Sequence, residues 1–252
     1  MEPGRRVVRR VEAGAGAPAV VLEAGMNCGA ASWQRVMPLL APHVRAVAYD
    51  RAGLGGSAPA PGLVTIERQV EDLASVITGQ GAGPCVLAGH SWGGILVQLL
   101  AFRRPDLVAG LVLVDPGHEE MESLLPVPVQ WGWRIAHAVF PDELHADAPV
   151  TSAALREMRA AATPFPDVPV VILSAASAFP LPRRFRTGWT RLQEGLATAA
   201  PQGRHVVVDG TGHNIPGNRP DVVADAILEV AAQVRASGSQ DRPDRKAAGR
   251  EN

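Results

Sequence analysis

Short runs of consecutive apolar, often β-branched residues alternate along this chain with longer stretches of helical periodicity. The runs VVL, VLA, LVLV and VVIL are apolar at every position. A strand with one wet face would alternate instead, so these strands are covered on both sides, as in a largely parallel sheet. The pattern predicts strands at 6–12, 19–23, 44–49, 85–88, 110–114, 168–173 and 205–208, and helices at 32–40, 65–79, 92–103, 186–199 and 220–236. Thr65 is placed to cap the second of these helices, and Asp221 lies early in the last, where its charge suits the helix dipole. Strand and helix in alternation make an α/β protein.

One segment breaks the alternation. Residues 117–167 carry many prolines, Pro126, Pro128 and Pro141 among them, with Trp131, Trp133, His137 and Phe140 between. No strand is evident there, and the one strong helical pattern is 152–162. An insertion of this length between two core strands predicts a lid. The chain therefore divides into a core (1–116 and 168–236), a lid (117–167) and a polar, Gly/Pro-punctuated tail (237–252) expected to be disordered.

At 252 residues the chain is long enough for one substantial core. A formal net charge of -1 gives no electrostatic reason to invoke nucleic acid or an anionic membrane. No run approaches the roughly 18 apolar residues that span a bilayer. The charged start lacks the apolar region of a secretory signal. Cys28 and Cys85 stand far apart and outside any metal-ligand spacing, so reduced thiols are expected. The expectation is a cytoplasmic enzyme without metal or cofactor, acting on a small molecule. Oligomeric state does not follow from the sequence.

The chemistry concentrates at Gly89-His90-Ser91-Trp92-Gly93, followed by Gly94. The apolar run CVLA precedes this G-x-S-x-G pattern and the helical run ILVQLLAF follows it, the context the pattern requires. A strand that turns into a helix within one residue strains the serine backbone, and side chains two positions to either side would collide. Gly89 and Gly93 remove them. Ser91 then stands at the sheet's C-terminal edge, beside the positive end of a helix.

GHSWGG, the downstream GTGHNIP and the turn DRAGLGGS at 50–57 together resemble the α/β-hydrolase superfamily, over nearly the whole chain from Val7 to Val234. The resemblance implies an α/β-hydrolase fold: a mostly parallel central sheet, helices on both faces and a short lid insertion. It implies Ser91 as nucleophile and His213, on a Gly-flanked loop after the last strand, as general base. It implies oxyanion donors in the backbone N–H groups of Trp92 and Met26. Ala24 stands where the family commonly has a histidine, which leaves the support of that loop open.

The acid is the departure. The loop after VPVVIL, the family's common site, reads SAASAFPLPRRFRTGW and holds no carboxylate. Asp115, one strand earlier at the end of GLVLV, is the leading substitute, as in relatives resembling haloalkane dehalogenases; Glu119, Glu120 or a weakened dyad are the alternatives. Asp50 resembles the structural aspartate of the D-x-x-G-x-G-x-S turn, tying down backbone N–H groups rather than serving as the acid. Asn27, His118, Trp131, Trp133 and Phe140 are expected around the substrate, with Met26 and Trp92 at the pocket floor. The reading is a serine hydrolase acting on a carboxylic ester or related acyl bond of a small apolar molecule. The alternative is a non-hydrolytic lyase, isomerase or cyclase, or a ligand-binding receptor, on the same fold.

Overall fold

The computed structural model describes residues 9–60, 64–81, 83–124, 127–128, 165–176 and 183–240. In chain order the elements are β1 (Arg10–Ala13), β2 (Val20–Glu23), a 3-10 turn (Ala30–Trp33), α1 (Met37–Leu40), β3 (Ala46–Tyr49) and α2 (Ile66–Thr78). There follow β4 (Cys85–His90), α3 (Trp92–Arg103), a second 3-10 turn (Pro105–Leu107), β5 (Val108–Val114) and α4 (Met121–Leu124). The described chain then gives β6 (Pro169–Ala175), α5 (Arg183–Ala199), β7 (Gln202–Val208), α6 (Ile215–Asn218) and α7 (Pro220–Gln240). Each of the seven expected strands is present.

The strands form one sheet in the order β1-β3-β2-β4-β5-β6-β7. Only the edge pair β1–β3 is antiparallel. Every other neighbouring pair is parallel. The reason lies in the apolar runs: β2, β3, β4 and β6 are buried at every position. Successive residues supply opposite faces. Val21, Leu87, Leu111 and Ile172 pack against α2, α3 and α5, whereas Val20, Val86, Val112 and Leu173 pack against α1 and α7. At about 1.5–3 kcal/mol for each large side chain taken out of water, these two layers dominate the favourable side of folding.

α3 is buried along Trp92–Ala101, apolar on every side, as a central helix must be when it packs on the sheet and against a neighbour. Thr65 caps α2 through its hydroxyl, which accepts the Arg68 N–H at 3.3 Å. Among the described residues no helix is long and apolar enough to cross a membrane.

Several element ends shift by two or three residues from expectation, and other differences are larger or concern the tail and the lid. The helix expected at 32–40 is two pieces, the 3-10 turn and α1, because Pro38 has no N–H to donate to the Gln34 carbonyl and serves instead within the first turn of α1. α7 runs to Gln240, four residues into the segment expected as a tail, whose remainder lies outside the described residues. At the start of the expected lid stands α4, which the sequence pattern did not suggest; Met121 and Leu124 pack on Phe185, Trp189 and Leu192. The rest of the lid, with its helical pattern at 152–162, lies outside the described residues.

Candidate active site

Ser91 joins β4 to α3 with φ 54° and ψ -114°, a conformation that a residue with a Cβ rarely adopts. It persists because its surroundings over-determine it. The Ser91 N–H donates to the Val114 carbonyl, and its own carbonyl accepts the N–H groups of Gly94 and Gly117, each at 3.0 Å. The flanking glycines are required by close approach. A Cβ on Gly89 would lie 2.5 Å from the Gly93 oxygen, and one on Gly93 would lie 2.3 Å from the Glu23 oxygen.

The end of the neighbouring strand supplies a carboxylate. Asp115 follows β5 with φ 43° and is 1% exposed. Its Oδ2 accepts a hydrogen bond from His213 Nδ1 at 2.6 Å. Its Oδ1 accepts the Trp189 indole N–H at 2.8 Å and the Ala175 N–H at 3.2 Å. Because a carboxylate can only accept, the His213 proton sits on Nδ1 and Nε2 is the nitrogen able to take a proton. The carboxylate beside His213 is thus Asp115. Glu120 is exposed. Glu119 lies 3.6 Å from His118 Nδ1.

β6 contributes a donor rather than a carboxylate, since the Ala175 N–H of that strand supports the Asp115 carboxylate arriving from β5. α5 does so too: Trp189 bonds Asp115, and Gln193, one turn on, donates to the Pro116 carbonyl at 3.1 Å. Sequence reasoning missed both. The available signal was a Trp and a Gln at i, i+4 on the buried face of α5.

Across the elbow, the segment after β2 turns tightly, closed by the Cys28 N–H on the Gly25 carbonyl at 3.1 Å, with Asn27 at φ 53°. A Cβ built on Gly25 would be 3.5 Å from Ser91 Cβ, so this turn lies directly beside the serine. Met26 follows Gly25, and its partly buried side chain packs against the core. The Trp92 ring is likewise buried, donating through Nε1 to Gln69 Oε1 at 2.9 Å. The buried Trp92 can therefore face a ligand only through its backbone N–H group. Asn27 is exposed. His118 is buried and accepts the Glu120 N–H on Nδ1 at 3.1 Å, three residues beyond Asp115. Trp131, Trp133 and Phe140 lie outside the described residues.

His90, beside Ser91 in the elbow, is engaged with His213. Its ring stands 4.9 Å from that of His213, and its Nε2–H donates to the His213 carbonyl at 2.8 Å. Burial, reinforced by the neighbouring His213, drives the His90 pKa down to about 4. It is neutral at pH 7 and holds the backbone of His213. Asp50 binds backbone N–H groups as expected: Oδ1 accepts that of Ala30 at 2.7 Å and Oδ2 that of Gly56 at 2.9 Å. Burial opposes its ionisation, but these bonds and Arg9 outweigh it and hold the carboxyl below its ordinary range.

The residues with a Cβ and positive φ are Asn27, Ser91 and Asp115 among those described. All three lie just past the C-terminal ends of adjacent strands β2, β4 and β5, the edge where parallel sheets place their ligands. Backbone strain gathered at one edge and fixed by neighbours is a mark of a functional site.

Residues 19–226 match the Alpha/beta hydrolase family. The uncharacterized protein YqjL of Bacillus subtilis is 25% identical over 214 residues, covering 84% of this chain and 82% of that one. Lipase LipV of Mycobacterium tuberculosis is 44% identical over 84 residues, but the match covers only 33% of this chain and 31% of the lipase. A thermophilic esterase from Thermogutta terrifontis has the same fold at a TM-score of 0.65 and 23% identity, over 93% of this chain and 96% of that one.

Two outcomes follow from the buried groups. Trp189→Phe keeps most of the ring and deletes one donor to a buried carboxylate; it should lower stability by about 1.5–3 kcal/mol in urea titration. An unchanged midpoint would mean that the indole bond contributes nothing. For His90 the folded pKa lies below the ordinary 6.5, so the unfolded chain takes up the proton first. Its contribution is complete above about pH 6.5 and is lost as the pH falls toward 4, on the order of 3 kcal/mol in all. His90→Gln should flatten the stability profile in that window; a slope equal to wild type would assign the loss elsewhere.

Proposed function

The chain belongs to the alpha/beta hydrolase family, and from that premise we propose that it is a serine hydrolase cleaving a carboxylic ester or related acyl bond of a small apolar molecule. The observation that carries the reading is the 2.6 Å contact of His213 Nδ1 with buried Asp115, on the same sheet edge as strained Ser91. The lipase and esterase names of two similar proteins point the same way. The aromatic residues Trp131, Trp133 and Phe140 in the sequence of the expected lid favour an apolar substrate.

In this reading His213 Nε2 takes the Ser91 hydroxyl proton as Oγ attacks the acyl carbon. The carbonyl π electrons move onto oxygen, and that oxyanion is met by the N–H groups of Met26 and Trp92, the latter at the positive end of α3. Collapse breaks the bond to the leaving group, which receives the proton from His213. A water then attacks the acyl-serine by the same proton route, releasing the acid and restoring Ser91. Asp115 stays ionised throughout, holding the imidazole in its tautomer and stabilising the imidazolium. The non-hydrolytic alternative drew its support from a missing acid, and Asp115 in contact with His213 weakens that support.

A fluorophosphonate probe followed by intact mass tests the proposal. Wild type should gain one adduct rapidly and Ser91→Ala none. His213→Ala and Asp115→Asn should label about 10²–10⁴-fold more slowly, in keeping with triads elsewhere. A wild type that does not label would contradict the hydrolase reading, and Asp115→Asn labelling at the wild-type rate would remove Asp115 from it.

A further inference from the structure

The turn that carries Met26 is held at both ends by consecutive residues of the bend after β3. Asp50 holds the far end through Ala30. Arg51 holds the near end: Nη1 donates to the Ala24 carbonyl and Nη2 to the Gly25 carbonyl, each at 2.7 Å. The guanidinium is oriented by Glu23 Oε1, 2.6 Å from Nη1, and the other Glu23 oxygen accepts the Tyr49 hydroxyl. Glu23 is 1% exposed, Tyr49 2% and Arg51 4%. Burial, with the charge of Glu23, raises the Tyr49 pKa, which keeps its hydroxyl a donor.

A buried ion pair is a weak source of stability, because desolvation offsets most of the attraction. What this one supplies is direction. The Gly25 carbonyl and the Met26 N–H belong to one planar trans peptide and point to opposite sides of it. A donor fixed on the carbonyl therefore fixes the line of the N–H. Ala24 has no side chain able to brace the turn, and the fork of Arg51 reaches two successive carbonyls.

We infer that Arg51 is a positioning residue for the oxyanion site: by gripping the Ala24 and Gly25 carbonyls it aims the Met26 N–H, with Glu23 and Tyr49 aiming Arg51. The inference rests on the reading of Met26 as an oxyanion donor. Lysine cannot substitute, since a single ammonium lacks the planar fork that spans two acceptors.

The test uses the full chain with Arg51→Lys, and with Arg51→Met combined with Glu23→Gln so that no unpaired charge is left buried. Amide exchange of peptides covering 24–30 should speed at least about tenfold in both variants, while peptides from β4, β5 and α7 keep wild-type protection. For p-nitrophenyl acetate, kcat should fall about 10²–10³-fold, the scale of one lost oxyanion donor, with KM within about threefold. Unchanged exchange at 24–30, or kcat within twofold of wild type, would overturn the inference. So would a loosening spread over the whole sheet, which marks a structural role only. A wild type inert to p-nitrophenyl acetate would break the hydrolase reading instead, and the exchange pattern would still decide whether Arg51 holds the turn.

Discussion

The carboxylate of Asp115 has two oxygens, and the protein engages both: one receives His213 Nδ1, the other Trp189 and the Ala175 N–H. On this arrangement the rest of the site depends. Asp115 comes from the end of β5, His213 from the loop after β7, Ala175 from β6 and Trp189 from α5. A buried carboxylate deprived of its donors would be costly, so these elements are locked into one relative placement by the same group that sets the imidazole's tautomer. The parallel sheet makes this possible, since it brings every one of those strand ends to a single edge.

The same edge collects the strain. Ser91 and Asp115 occupy positive φ, and each is tied to neighbouring strands by backbone bonds, Ser91 to Val114 and Asp115 to Leu173. Such conformations cost of order 1–3 kcal/mol apiece and need a rigid scaffold. The two-sided core provides it: β4 is buried at every position, β5 at all but Ala109, and α3 begins at the serine itself. Around this centre the supporting polar groups face inward in pairs, His90 on the backbone of His213 and Arg51 on the carbonyls beside Met26.

Much of this was legible in the sequence because it is local. Strands buried on both faces must be apolar at consecutive positions, and the central strands were marked so; the edge strands β1 and β7, largely exposed, carry Arg10 and Glu12 or Gln202 and Arg204 among their apolar residues. The elbow is local as well, its glycines demanded within four residues of the serine. The misreadings are of two kinds. Pro38 divides a segment whose apolar spacing suited one helix, a backbone effect that periodicity does not register. The partners of the site are the other kind: Trp189 is 74 residues from Asp115, and His90 is 123 from His213. The spacing of a Trp can mark a buried helix face, as Trp189 and Gln193 do, but it does not name a partner at such range. Arg51 sat within a turn whose aspartate drew the attention, although Asp50 and Arg51 act on the same segment.

Asp115 and His213 share one proton line at this edge. Proton NMR of the uninhibited protein reads it directly, since a ring N–H held 2.6 Å from a buried carboxylate resonates far downfield of ordinary imidazole protons. Wild type should show one such resonance, absent from His213→Ala and lost or moved strongly upfield in Asp115→Asn. Its absence from wild type, or its survival in Asp115→Asn, would mean that the two groups share no such proton.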